Sequence, residues 1–406
     1  MKIRALTGFM DPDWPLDTGK IAQIASFLST VRDALESSNF EVQTLRIATP
    51  PPGEMENPVP VDERADFARS LEAETFVNGI DYAAIGPALP DEPQGYEAVV
   101  QIISATEQIF TSGIYADPSV GISLPAARAC AQSIVDIATL ESNGFGNLRF
   151  AALVNVPAGA PFFPAAYHRG GSPTIAVACE AADLAVLALQ DSSSLSKTRD
   201  QLVNAIETQA ATIEHIVERE GRSFNIRFHG IDFSLAPFPE LDRSLGTAMQ
   251  GLGVPNLGQA GSVAAAAFFA SSLDRAQFKR TGFCGLFLPV LEDAVLAERA
   301  ADGSLTIKDL LLYSTLCGTG LDTVPLPGDT STEAITALLL DLGALGLRHS
   351  KPLTARLMPI PGKRAGDEVH FDFPYFADSK VMALPAQPLT DQLAGTGSLD
   401  IDPPKP

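Results

Sequence analysis

Short apolar, β-branched runs alternate with longer Ala/Leu-rich stretches of helical periodicity from one end of the chain to the other. The short runs predict strands over Ile3–Phe9, Val42–Ala48, Tyr82–Ile85, Ile109–Ile114, Leu148–Val156, Phe224–Phe228, Gly282–Val290, Leu310–Leu316 and Leu353–Met358. Helical periodicity falls between them, as in Thr18–Ser37, Pro60–Asn78, Ser196–Glu220 and Ser331–Arg348. Strands that alternate with helices favour parallel pairing and an α/β architecture. So many strands are more than an ordinary open sheet uses, which favours a barrel. No Ser/Gly-rich or charge-block linker divides the chain, so residues 1–384 are expected to form one large α/β domain. Residues 385–406 carry five prolines and few large apolar residues, and are expected to be a poorly ordered tail.

Two other segments break the rhythm. Thr49–Pro60 holds five prolines and reads as a surface loop. Val156–Pro173 is long and aromatic, without regular periodicity, and loops of that kind in compact domains are usually functional.

Composition narrows the function classes. The 406 residues include 28 Lys plus Arg and 49 Asp plus Glu, a formal charge of −21. A field that negative repels phosphate backbones and anionic lipid, which argues against nucleic-acid and membrane partners. The longest unbroken apolar run is the eight residues Val263–Ala270, well short of the ~20 needed to span a bilayer. Cys130, Cys179, Cys284 and Cys317 are widely spaced with no Cys-x-x-Cys, which fits a reducing cytoplasm better than a disulfide or zinc framework. No Walker loop, no Gly-x-Gly-x-x-Gly after the first strand, no His-Glu-x-x-His and no Gly-x-Ser-x-Gly occurs, so NAD, nucleotide and serine-hydrolase chemistry lack a motif.

Candidate chemistry gathers in three places. Leu310–Ser331 reads as a buried strand ending at Cys317, then a Gly/Pro loop, then a helix with Thr330 and Glu333 at capping-box spacing. In a parallel α/β fold such loops build the active face, which makes Cys317 a candidate nucleophile or thiol acid–base and Asp322 a ligand or orienter. Asp329 is a weaker ligand candidate, because helix N-terminal electrostatics already account for it. Lys351–Gly366 contains Lys351, Arg356, Lys363 and Arg364 and no acid. A basic cluster in an acidic chain suits a small anionic ligand, with Arg356 and Lys363 as the clamp. Arg356 alternates with Leu353, Leu357 and Met358 and is the best inward guanidinium. In Phe224–Pro237 the apolar alternation slips by one residue at His229-Gly230, where a bulge would re-aim a side chain. His229 and Asp232 then become an acid–base pair or, with Asp322, ligands of a divalent metal. His168 and Arg169, in the aromatic loop, are further ligand-binding candidates. Glu292 and Asp293 read as acids of a first helical turn, needing no function.

The strings MKIRALTGFMDPDWPLD, GISLPAARAC, FAALVNVPAGAPFFPAAYHRGG, GIDFSLAPFPE and LYSTLCGTGLDTVPLPGDTS, with KPLTARLMPIPGK and FDFPYFADS, closely resemble a widespread uncharacterised family filed as domain of unknown function 711. The likeness covers the chain apart from its proline-rich tail. It implies a ten-stranded α/β barrel like that of the pyruvate formate-lyase-like glycyl radical enzymes, and a homodimer. It brings no activity. Cys317 would correspond to the cysteine those enzymes carry on a loop inside the barrel. Their radical motif, Arg–aliphatic–small–Gly–Tyr, has no match, the nearest string being Lys363-Arg364-Ala365-Gly366-Asp367. The resulting expectation is a non-radical enzyme acting on a small anionic metabolite. The alternative is a small-molecule- or metal-binding regulatory protein without turnover.

Overall fold

The structure is a computed structural model and describes residues 1–190, 192–316 and 318–404. Its strands are β1 (Lys2–Phe9), β2 (Leu45–Ala48), β3 (Tyr82–Ala84), β4 (Ile109–Asp117), β5 (Gly121–Ser123), β6 (Phe150–Val154), β7 (Thr174–Glu180), β8 (Arg227–Asp232), β9 (Gly320–Pro327), β10 (Leu353–Ile360), β11 (Glu368–Val369), β12 (Ser379–Lys380) and β13 (Ser398–Leu399). The helices are α1 (Thr18–Glu36), α2 (Arg64–Val77), α3 (Gln94–Ala105), α4 (Leu124–Ala138), α5 (Ala182–Gln190), α6 (Leu195–Phe224), α7 (Leu245–Gly251), α8 (Ser262–Leu273), α9 (Ala294–Asp302), α10 (Ile307–Ser314) and α11 (Thr332–Arg348).

Among the described residues, eleven strands join one mixed sheet. Its main path runs β8-β7-β1-β2-β3-β4-β6-β10-β9, and β5 and β13 lie off it. β1, β2, β3, β4 and β6 are parallel, while β7 runs against β1 and β10 against β6. No continuous ladder joins the edge strands β8 and β9 among the described residues. Between them lies the stretch 280–289, which makes only isolated bridges, to Ile231 and Leu235 on one side and to Asp322 on the other. The expected strand Gly282–Val290 is therefore not a regular strand.

Period-two alternation sorts the side chains of the sheet. Ile3, Leu6, Leu45, Ile47, Phe150, Val154, Ile175 and Val177 face the helices in one buried cluster that runs from Ile3 to Met382. The other face is small: Ala5, Ala151 and Ala178 in one cluster, Ala48, Ala84 and Ala176 in another. The aromatic loop after β6 fills the room these alanines leave, bringing Phe162 into the first cluster and Phe163 into the second. Thr7 Oγ1 ties it down by donating to Pro161 O (3.0 Å), and the His168 N–H donates to Thr49 O (3.0 Å). A loop that buries its own apolar residues and pairs its backbone is a structural element, which accounts for its composition.

Three local expectations need correction. Leu310–Leu316 is not a strand: α10 covers it, started by a capping box in which Thr306 and Asp309 satisfy each other's backbone N–H. A short apolar run cannot by itself separate a buried strand from a buried helix. The cap of α11 is Ser331, which accepts from the Ala334 N–H, and not Thr330. The tail, expected to be poorly ordered, docks. Ser398 and Leu399 pair with Ser123 and Ile122, and Arg128 and Arg348 donate to the carbonyls of Gly395 (2.7 Å) and Asp402 (2.8 Å). No helix among the described residues is long and apolar enough to cross a membrane.

Candidate functional site

A cavity of about 440 Å³ opens at the N-terminal mouths of β1–β4 and β6. Aromatic side chains form part of its wall, Tyr82, Phe110, Phe162, Phe163, Phe287 and Tyr375 among them, beside charged and polar ones. Arg4, Arg46, Asp322 and Arg356 reach it from single positions on the strands, while Glu107, Glu141, Arg149 and Glu292 reach it from the connections between elements. Arg4 is the residue left over where the β1–β7 register shifts between Ile3 and Ala5. Asp322 and Arg356 fall together in the register break between β9 and β10. Bulges re-aim side chains in this way and recur beside active sites. Thr323, next to Asp322, is held at φ 43° with its Oγ1 accepting from the Leu291 N–H (3.2 Å). Such a backbone is uncommon for a β-branched residue, and it persists only where surrounding contacts enforce it.

The charges form an alternating chain. Arg356 donates through Nε to Asp322 Oδ1 (2.5 Å) and through Nη2 to Glu292 Oε1 (2.7 Å). Glu292 Oε2 accepts from Arg4 Nη2 (2.7 Å), and Arg4 Nη1 donates to Glu180 Oε2 (2.9 Å). Glu180 also pairs with Arg243 and accepts from Gln43 Nε2 (3.0 Å). Tyr375 lies against Arg4, its ring centre 4.5 Å from the guanidinium carbon. Burial alone would lower the pKa of Arg356, but the carboxylates of Asp322 and Glu292 raise it above the ordinary value. The inward guanidinium expected at 356 is thus present, but two carboxylates already neutralise it.

Arg46 differs. It is buried, it lines the cavity, and its Nε donates to Thr44 Oγ1 (2.9 Å). Its guanidinium carbon lies 4.9 Å from the ring centre of Phe163 and 5.7 Å from that of Tyr82. Among the described residues, no carboxylate lies within 4.0 Å of it. Burial, and then the neighbouring Arg4 cation, push its pKa down to about 10. It remains a cation at neutral pH, buried and with no carboxylate at ion-pair distance among the described residues.

The other expected site residues that the structure describes do not join this cavity. Cys317 lies outside the described residues. Asp232 is fully buried and its carboxylate is used by the fold: Oδ1 accepts from Ser234 Oγ (2.6 Å) and the Cys284 N–H (2.9 Å), Oδ2 from the Phe283 N–H (2.7 Å). His229 does sit on a bulge, since the β7–β8 register skips it, but it faces an outer groove with His168 and Arg169. His229 and Asp232 are therefore not an acid–base pair, and with Asp322 they do not form a metal-ligand set. Among the described residues, no group of three or more His, Cys, Asp or Glu could hold a metal ion. Asp329 and Lys363 are exposed, and Lys351 lies outside the cavity. The proposed clamp of Arg356 with Lys363 does not converge. Glu292 is not a first-turn acid; Asp293 caps α9, accepting from the N–H groups of Val295 and Leu296, and Glu292 joins the charge chain.

Residues 1–377 match the family described as Uncharacterised ACR (DUF711). The chain belongs to that family. Its relatives include a UPF0210 protein of Pyrobaculum arsenaticum, 32% identical over 279 residues, an alignment covering 67% of this chain and 61% of the relative. A UPF0210 protein of Oleidesulfovibrio alaskensis is 28% identical over 386 residues, covering 90% of this chain and 84% of the relative. A third, from Acetivibrio thermocellus, is 28% identical over 378 residues, covering 87% and 82%. For a DUF711 chain, then, the cavity's own chemistry must carry the functional reading. Arg4, Arg46, Glu180 and Arg243 escaped the sequence reading because each stands alone among apolar or mixed neighbours. One signal was available: Arg46 sits between Leu45 and Ile47, an alternation that turns it to the face opposite them.

Proposed function

We propose that the aromatic cavity binds a small organic anion with a planar or apolar body, its charged group held by Arg46. The observation that carries this reading is the contrast among the four arginines that line the cavity, of which Arg149 spends its guanidinium on the carbonyls of Ile103, Thr106 and Ile109. Arg4 and Arg356 are each paired with two carboxylates, whereas Arg46 faces the cavity with none within 4.0 Å among the described residues. A buried, uncompensated cation is costly unless an anion completes it. The aromatic walls offer a matching surface for an apolar body, as ligand pockets commonly do. The ten-stranded barrel belongs to the same proposal. Its support is that the stretch 280–289 bridges both edge strands and would stand in the tenth position.

Calorimetric titration with aryl carboxylates such as benzoate and phenylacetate, against their amides, tests the reading. The carboxylates are expected to bind and the amides not. Arg46→Met should weaken carboxylate binding by about 10- to 150-fold, the equivalent of one charge-assisted hydrogen bond of ~1.5–3 kcal/mol. Without ligand the same variant should melt at an equal or higher temperature, because an uncompensated buried charge is gone. Equal affinity of Arg46→Met and wild type overturns the proposal.

A second reading adds turnover by Cys317 as nucleophile or thiol acid–base. One observation favours it: the neighbouring Gly318 packs against the backbone of Gly285, in the segment that carries Phe283 and Phe287. Its test is mild alkylation at neutral pH. Cys130 and Cys179 are fully buried with pKa values raised by burial, and burial pushes Cys284 up to about 12, so none of the three should react quickly. Peptide mapping is expected to find Cys317 labelled first. Labelling of Cys130 or Cys179 at the same rate removes the thiol reading.

A further inference from the structure

We infer that a second anion site, for a small molecule bearing two or more phosphate charges, lies in the open groove where β7 and β8 begin. The groove encloses about 930 Å³ and shares no lining residue with the aromatic cavity. Arg169, Arg222, Arg227 and Lys279 line it, against one acid, Glu218, among the described lining residues. Lys279 is engaged: Nζ donates to Phe228 O (2.8 Å) and lies 3.8 Å from Glu218. Among the described residues, Arg169, Arg222 and Arg227 have neither a carboxylate within 4.0 Å nor a side-chain hydrogen bond.

That arrangement is unexpected in this chain. With 49 acids to 28 bases, surface arginines have carboxylates available nearly everywhere, yet three converge here without one. The potential reaches the histidines: burial first, then Arg227 and Lys279, lower the pKa of His229. His229 lines the same groove and adds a ring N–H donor to the guanidinium forks, while His168 turns Nε2 to the Gly171 carbonyl (3.4 Å). Gly170 and Gly171 form part of its wall, both at φ 79°, with nothing within 4 Å of the position a Cβ would take, so a ligand can approach their backbone. Three unpartnered guanidiniums call for more than one negative charge, and their planar forks match phosphate oxygens. A small ligand is favoured over a nucleic-acid strand, because the remainder of a chain at −21 repels a long polyanion.

Titration of the full chain with inorganic pyrophosphate and tripolyphosphate by calorimetry, at two salt concentrations, tests this. Saturable one-to-one binding that weakens with salt is expected. The double variant Arg169→Ala/Arg227→Ala should lose at least about tenfold in affinity, with an unchanged melting temperature because both side chains are exposed. Arg46→Met should bind pyrophosphate as wild type does, which separates failure of this site from failure of the aromatic cavity. Absence of saturable binding overturns the inference, as does an affinity indifferent to the double variant. So does displacement of pyrophosphate by single-stranded oligonucleotides with an affinity that grows with their length.

Discussion

Replacing Arg356 by methionine is expected to destabilise the protein by about 3–5 kcal/mol at neutral pH, the cost of removing one partner from a buried ion pair. Arg356 lies between two carboxylates, and the two are not equally exposed to its loss. Glu292 keeps Arg4 as a partner, whereas Asp322 has no other cation within 4.0 Å among the described residues. Asp322 is buried, so its orphaned charge would be left in a poorly solvated site. Two consequences separate this account from simple loss of packing. The deficit should shrink as pH falls, because an unpaired buried carboxylate takes up a proton more readily. The double variant Arg356→Met/Asp322→Leu should recover much of the loss, since apolar replacement of both partners is often neutral. Urea unfolding at several pH values reads all three. A deficit below about 1 kcal/mol, the range of exposed pairs, would sink the account.

Asp232→Asn should be destabilising in a pH-dependent manner. The Asp232 carboxylate accepts three hydrogen bonds and pins the turn at Gly282–Cys284. The turn leaves no slack: Gly282 is at φ 65°, and a Cβ there would lie 2.2 Å from Asp232 Oδ2. Asparagine turns one oxygen into a donor facing an N–H, which should cost about 1–3 kcal/mol. Burial pushes the Asp232 pKa up to about 6 against the ordinary 3.8, outweighing the hydrogen bonds that pull it down. The folded state therefore binds this proton more tightly than the unfolded chain does. Stability from the protonated group is present below the unfolded pKa and is lost as pH rises through about 6, an amount on the order of 3 kcal/mol. The asparagine variant lacks that loss. Its deficit relative to wild type should be largest below about pH 4, fall between pH 4 and 6, and be smallest above pH 7. A deficit constant from pH 5 to 8 would show that Asp232 stays ionised in the folded protein.

Much of the framework was legible locally. The period of the apolar positions located α1, α2, α6 and α11 within a few residues, along with β1, β4 and β10. The phase slip at His229-Gly230 marked a real bulge, because a skipped residue disturbs period two in the sequence itself. Alternation with Leu353, Leu357 and Met358 likewise turned Arg356 inward. The run at 310–316 misled because helix α10 is only eight residues long, too short for its period to declare itself.

What the sequence determined by itself was therefore much of the element pattern and the inward direction of Arg356. Only the tertiary structure decided what those features do. Arg356 meets Glu292 and Asp322 across 64 and 34 residues of chain, and Arg4 meets Glu292 across 288. Side-chain direction follows from a repeat two or four residues long, so neighbouring sequence encodes it. Charge compensation depends on which distant strands become neighbours, and no local pattern records that. Arg46 and Arg356 look alike in the chain and line the same cavity, and they diverge only because folding supplies two carboxylates to Arg356 and, among the described residues, none within 4.0 Å to Arg46.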